Sequence, residues 1–186
     1  MPARYALFGG AFDPVHAGHL AVAEAARARF HLDRVIFVPS GNPPHKPLDT
    51  PFADRVAMLR LVAEHVSEAE RGGARSYTYD MLQHFDPPRL FLIGADAFSE
   101  IESWYRWRDV IAMTEFIVAS RPGHGYDVPA GAVVHRLETL AFTESSSAIR
   151  TALAAGLHPP ELPQPVYDYI RSRGLYHPCV PSPVSS

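Results

Sequence analysis

The chain has 186 residues, 47% hydrophobic, 11% aromatic and 20% charged, the make-up of a single domain (expected over 1–177) able to bury its own core. Seventeen Lys and Arg against twenty Asp and Glu leave a net charge of −3, which argues against a nucleic-acid binder or an anionic-membrane binder. One cysteine, Cys179, excludes a disulfide framework, no apolar run approaches the roughly 20 residues of a membrane helix, and no apolar leader follows Met1, so a cytoplasmic protein is expected.

Tyr5–Phe8 reads as a buried strand closed by Gly9-Gly10. Gly18 to Phe30 follows as a helix with Leu20, Ala23, Ala26 and Phe30 on one stripe. Val35–Val38 is a second buried strand, ended by Pro39, and a proline-rich loop runs from Ser40 to Pro47. Thr50 is the expected N-cap of a helix with Pro51 at its first position and Phe52, Val56, Leu59 and Ala63 facing inward. Thr78–Phe85 is a shorter helix, Leu90–Ile93 a strand stopped by Gly94, and Phe116–Ala119 another strand. Val133–Leu137 is a weaker strand pattern; Ser146–Ala155 is a helix capped by Ser145 or Ser146 and stopped by Gly156, and Val166–Ser172 the last helix. The Pro- and Ser-rich tail from 178 to 186 is expected to be frayed. Continuous apolar strands alternating with helices predict an α/β, Rossmann-like, doubly wound and mainly parallel sheet covered on both faces. Such a sheet binds ligands at the carboxyl ends of its strands.

Chemistry concentrates after the first strand, in Gly9-Gly10-Ala11-Phe12-Asp13-Pro14-Val15-His16-Ala17-Gly18-His19-Leu20. Glycines let backbone amides approach a phosphate, and the following helix start offers free N–H groups and a positive dipole end. Taken alone, His16 and His19 could equally be two surface histidines beside a glycine turn. A metal pair is a second alternative, but the spacing is not HExxH and no third ligand lies near. The pattern is neither GxGxxG nor a Walker loop.

This dodecapeptide resembles the phosphate-binding signature of the nucleotidylyltransferase superfamily. Further matches follow in order: Pro39-Ser40-Gly41-Asn42-Pro43-Pro44-His45-Lys46, Ser76-Tyr77-Thr78-Tyr79-Asp80, Ile93-Gly94-Ala95-Asp96-Ala97, Trp104-Tyr105-Arg106-Trp107, Ser120-Arg121-Pro122-Gly123 and Ser145-Ser146-Ser147-Ala148-Ile149-Arg150. Together they resemble the bacterial nicotinate-nucleotide adenylyltransferases over about residues 3–177. Departures exist: Ala11 and Ser147 stand where Thr is usual, Glu144 where an apolar residue is usual and Arg75 where Pro is usual. The stretches 64–75 and 124–143 are shorter than the family pattern.

The resemblance implies transfer of AMP from ATP to nicotinic acid mononucleotide, giving deamido-NAD and pyrophosphate in NAD biosynthesis. It implies catalytic roles for His16, His19, Lys46 and Arg150, with His19 nearest the transferring phosphate. ATP would further contact Gly9, Gly10, Phe12, Gly94, Asp96, Arg121, Ser146 and Ser147. The mononucleotide would contact Asn42, His45, Lys46, Tyr77, Thr78, Trp104 and Tyr105, with Trp104 as the stacking face and Trp107 as packing. Mg²⁺ would ride mainly on ATP oxygens, without a dedicated protein metal site. The remaining seven histidines match no motif and read as surface or structural. The expected partners are the two substrates, with homo-oligomerisation left open. Rivals are a pantetheine-phosphate adenylyltransferase, which lacks the Ser-Tyr-Thr and Trp-x-Arg-Trp segments, a nicotinamide-preferring relative, and a non-catalytic nucleotide-binding regulator.

Overall fold

In the computed structural model the described residues are 4–43, 48, 50–70, 77–87, 89–139 and 145–176. Five strands, β1 (Tyr5–Gly10), β2 (Arg34–Pro39), β3 (Leu90–Gly94), β4 (Glu115–Ser120) and β5 (Val134–Glu138), form one sheet in the order β2-β1-β3-β4-β5. All four pairings are parallel. The helices are α1 (Ala17–Arg29), α2 (Phe52–Arg60), α3 (Thr78–Leu82), α4 (Ala95–Ser99), α5 (Trp107–Met113), α6 (Ser146–Ala154) and α7 (Gln164–Arg173), with a 3₁₀ turn at Ile101–Ser103. This is the doubly wound α/β arrangement that the strand and helix alternation predicts.

Because side chains alternate across a strand, each strand feeds two cores. Ala6, Phe8, Phe37, Leu90, Leu92, Ile117, Ala119 and Leu137 pack on one face with residues of α1, α2, α6 and α7. Leu7, Val38, Phe91, Ile93, Phe116 and Val118 pack on the other with residues of α3, α4 and α5. Burial on both faces is why these strands read as unbroken apolar runs rather than as alternating patterns.

Several sequence expectations need correction. Thr50 does not cap α2. Pro51 occupies the N-cap, with no side-chain cap bond, and the Thr50 carbonyl instead accepts from Arg55. The inner face of α2 is also less apolar than its stripe suggests, since Asp54 and Arg55 are buried beside Val56, Met58 and Leu59. Thr78 begins a helix that ends at Leu82, short of Phe85. The segment 95–113, for which the pattern above offers no element, carries α4, the 3₁₀ turn and α5. Of the two candidate caps for α6, Ser145 is the one used, accepting from the Ala148 N–H at 3.2 Å. The edge of β2 is covered locally: Phe37 bonds both His65 and Ser67 through its backbone, each at 2.9 Å.

Candidate functional site

Chain order reverses between β1 and β3, since β2 lies on one side of β1 and β3 to β5 on the other. At the carboxyl ends of these two strands a crevice opens, where doubly wound sheets place their ligands. The cavity there has a volume of about 260 Å³ and is lined by Gly9 and Gly10, by Phe91 and Ile93, and by Tyr77, Thr78, Trp104 and Tyr105 among others. Gly9 is required by packing: a Cβ would stand 2.7 Å from the Phe91 ring.

One end of the crevice is the glycine loop after β1. Phe12 takes a left-handed φ of 48°, which turns the chain so that its ring enters the core, 1% exposed, against Phe8 and Phe37. The side chain is therefore a packing element, and a contact from Phe12 to ATP has to come from its backbone. His16 is the N-cap of α1 and is buried, while His19 is half-buried one turn on. Their rings lie 3.8 Å apart between centroids, and the His16 N–H donates to His19 Nδ1 at 3.3 Å. That bond fixes the tautomer, leaving Nε2–H of His19 as a donor. Burial, and then the neighbouring His16, push the His19 imidazole down to about 3, so it is neutral at physiological pH. Neither histidine is a plain surface residue.

The start of α6 closes over the same loop. Arg150 Nη1 donates to the Asp13 carbonyl at 2.7 Å and Nη2 to Ser147 Oγ at 3.2 Å, while Ser146 Oγ donates to the Pro14 carbonyl at 3.2 Å. Beneath the loop, Tyr176 donates to the buried Asp13 carboxylate at 2.6 Å. The structure thus brings His16, His19, Ser146, Ser147 and Arg150 together around one turn, although 137 positions separate Arg150 from Asp13.

At the cavity, Tyr77 and Tyr105 pack with ring centroids 4.6 Å apart, and Trp104 is half-buried with its ring nearly perpendicular to that of Phe91. Asn42 is exposed in the loop between Ser40 and Pro43, both of which line the cavity. Gly94 ends β3 and is the N-cap of α4, which carries Asp96 in its first turn. The Asp96 side chain is 99% exposed with His124 Nε2 at 3.7 Å, and Arg121 is exposed just beyond β4. His124, which matches no motif, therefore sits beside a candidate ribose ligand. Lys46 and His45 lie outside the described residues.

Sequence reasoning missed Asp13, Arg55, Glu70 and Tyr176 as framework of the site, and Glu70 and Glu100 as cavity lining. Two of them carried a signal: Asp13 lies inside the signature after β1, and Arg55 stands three residues after Phe52 and one before Val56, on the apolar stripe of α2.

The chain matches the cytidylyltransferase-like family over residues 7–152. It is 47% identical to a protein of Solibacter usitatus (strain Ellin6076) named probable nicotinate-nucleotide adenylyltransferase, over 94% of this chain and 100% of the relative. A Gloeobacter violaceus protein of the same name is 39% identical over 95% of this chain and 97% of its own length. Among solved structures, Plasmodium falciparum nicotinic acid mononucleotide adenylyltransferase complexed with NaAD superposes with a TM-score of 0.77 at 20% identity. That match covers 92% of this chain and 96% of the other, and it speaks to the fold.

Proposed function

The chain belongs to the nicotinate-nucleotide adenylyltransferase family, and we propose the following assignment of that reaction to its own residues. The enzyme transfers the adenylyl group of ATP to nicotinic acid mononucleotide and releases pyrophosphate, a step of NAD biosynthesis. The attacking group is the mononucleotide phosphate, largely dianionic near neutral pH because its second pKa is about 6. No general base is needed. Catalysis reduces to alignment and to stabilising charge on the transferred phosphate and the departing pyrophosphate.

The observation that carries this assignment is the convergence of His16, His19, Ser146, Ser147 and Arg150 on the Asp13-Pro14 turn beside the cavity. His19 Nε2–H donates to the α-phosphate. With Nδ1 already accepting from the His16 N–H, the ring acts as a neutral donor whose hydrogen bond strengthens as charge accumulates on the phosphate. Arg150 and the hydroxyls of Ser146 and Ser147 face the β- and γ-phosphates at the start of α6, where the helix dipole also favours an anion. Asp96 holds the ATP ribose, with Gly94 and Arg121 beside it. Trp104 and Tyr105 bound the pyridine ring, with Tyr77, Thr78, Asn42, His45 and Lys46 around the mononucleotide.

Donors at the phosphate end are imidazole, hydroxyl, guanidinium and amide, and the Asp13 carboxylate already accepts from Tyr176. That set suits anions rather than a hard cation, so a Mg²⁺ would enter on the nucleotide's own oxygens and water. There it would screen the charge of the leaving pyrophosphate.

Pyrophosphate release tests the assignment, with ATP supplied beside nicotinate mononucleotide, nicotinamide mononucleotide or phosphopantetheine. Acid and amide differ little in shape, so discrimination comes from backbone N–H donors that satisfy a carboxylate and oppose an NH₂ group. The expected result is at least roughly a tenfold preference in kcat/KM for the nicotinate substrate, the equivalent of about 1.4 kcal/mol. A preference for the amide, or ATP binding without pyrophosphate from any acceptor, overturns it.

A further inference from the structure

Gly41, in the loop after β2, is held from both sides. Its N–H donates to Glu70 Oε2 at 2.9 Å, and its carbonyl accepts from Arg55 Nη2 at 3.2 Å. Arg55 is 1% exposed on the inner face of α2. Its other two nitrogens reach different segments: Nη1 donates to the Ala11 carbonyl at 2.8 Å, and Nε to the Thr50 carbonyl at 3.2 Å. One guanidinium therefore bridges the loop after β1 to the loop after β2, and α2 anchors the bridge.

The choice of residue is physically pointed. Burial weakens the charged form of Arg55, against the favourable fields of Asp13 and Glu70. A methionine would pack this face of the helix without that desolvation cost. What methionine cannot do is tie three carbonyls from three segments in one rigid plane of donors; nor can lysine, with one compact ammonium.

We propose that Arg55, with Glu70, is a positioning residue of the transfer reaction: it sets the separation of the two loops, and so of the ATP phosphate from the mononucleotide phosphate that attacks it. The inference rests on the functional reading above, which gives the first loop to ATP and the second to the mononucleotide. In-line attack needs reacting atoms at about 3–3.5 Å, and a misplacement near 1 Å can cost about 10²-fold in rate. A clamp between two loops makes its contribution only when both substrates are bound. Each substrate alone still meets its own loop intact.

The test compares the wild type with Arg55→Met, Arg55→Lys and Glu70→Ala. Steady-state pyrophosphate release is measured with both substrates varied, alongside equilibrium binding of a non-hydrolysable ATP analogue and of nicotinate mononucleotide, each alone. Arg55→Met should lower kcat about 10²-fold, while each binary Kd stays within about threefold. Arg55→Lys and Glu70→Ala should each lower kcat roughly tenfold, the scale of one lost charge-assisted bond. These two keep the inference testable if Arg55→Met fails to fold. A loss confined to either binary Kd, or Arg55→Lys and Glu70→Ala variants with wild-type kcat beside an active wild type, overturns the clamp alone. A wild type inert with every acceptor overturns the functional reading, and the clamp with it.

Discussion

At the end of the cleft to which we assign the phosphates, side chains are tied down around the turn: Arg150 to the Asp13 carbonyl, Ser146 to the Pro14 carbonyl, and Tyr176 to the Asp13 carboxylate. At the end we assign to the nucleosides, Asp96 stands fully in solvent with His124 3.7 Å away, and Tyr105 is 51% exposed against Tyr77. The difference follows what each end has to do. Charge develops at the phosphate during the reaction, and donors stabilise it only if they are already in place. Ribose and pyridine do not react, so their contacts can be ordered by the substrate itself. An exposed side-chain contact such as Asp96 with His124 is worth little until a ligand covers it.

The sharpest way to break this contrast is at His19. His19→Ala should lower kcat by about 10²–10³, the usual scale for removing one preorganised donor. ATP affinity should fall much less, because the loop amides and Arg150 remain, and a loss confined to KM would move His19 to ground-state binding.

The buried tie under the loop comes next. Tyr176→Phe leaves the Asp13 carboxylate without its donor, and a buried acceptor so stranded costs about 1–3 kcal/mol. A fall of that size in unfolding free energy by denaturant titration is expected, and an unchanged midpoint would mean that the hydroxyl does not support the loop. Burial, and the hydrogen bond to Asp13, already hold this phenol well above the ordinary tyrosine range, so it stays a donor at every working pH.

At the open end, Trp104→Ala should raise KM for either mononucleotide by roughly tenfold through lost ring packing. The nicotinate-to-nicotinamide ratio should stay nearly constant, because stacking does not distinguish an acid from an amide. If the ratio collapses instead, the indole and not the backbone reads the carboxylate.

The pH dependence of stability offers a milder comparison. In the folded protein His19 is depressed to about 3, against an ordinary histidine value near 6.5 in the unfolded chain. Below pH 6.5 the unfolded state therefore binds a proton that the folded state refuses, and stability is lost as pH falls from 6.5 toward 3. Between pH 7.5 and 5.5 the loss from this residue is about 1.4 kcal/mol. A His19→Asn variant should show a correspondingly flatter decline in chemical denaturation, and an identical decline would place the effect elsewhere. Smallest of all, Asp96→Ala should raise KM for ATP by about threefold and leave kcat unchanged, as befits an exposed contact outside the reacting centre.

What the sequence by itself determined is everything carried over a few neighbouring positions. The apolar runs of β1 to β4, the glycine loop, the histidine pair at a helix start, a serine cap before α6 and the Gly156 stop are local in this sense, because periodicity and turn chemistry act over one or two turns. Its motif order was enough to identify the family. Tertiary structure alone decided how the site is held. Arg55 grips a carbonyl 44 positions away, Glu70 an amide 29 away, and Tyr176 a carboxylate 163 away. It decided too that Phe12 is a core residue, that Thr50 gives its carbonyl to Arg55 instead of capping α2, and that His16 is buried. A hydrogen bond between distant segments leaves no period in the chain. A charged side chain looks the same in the sequence whether or not the fold encloses it, and only a place on an apolar stripe, as for Arg55, hints at burial.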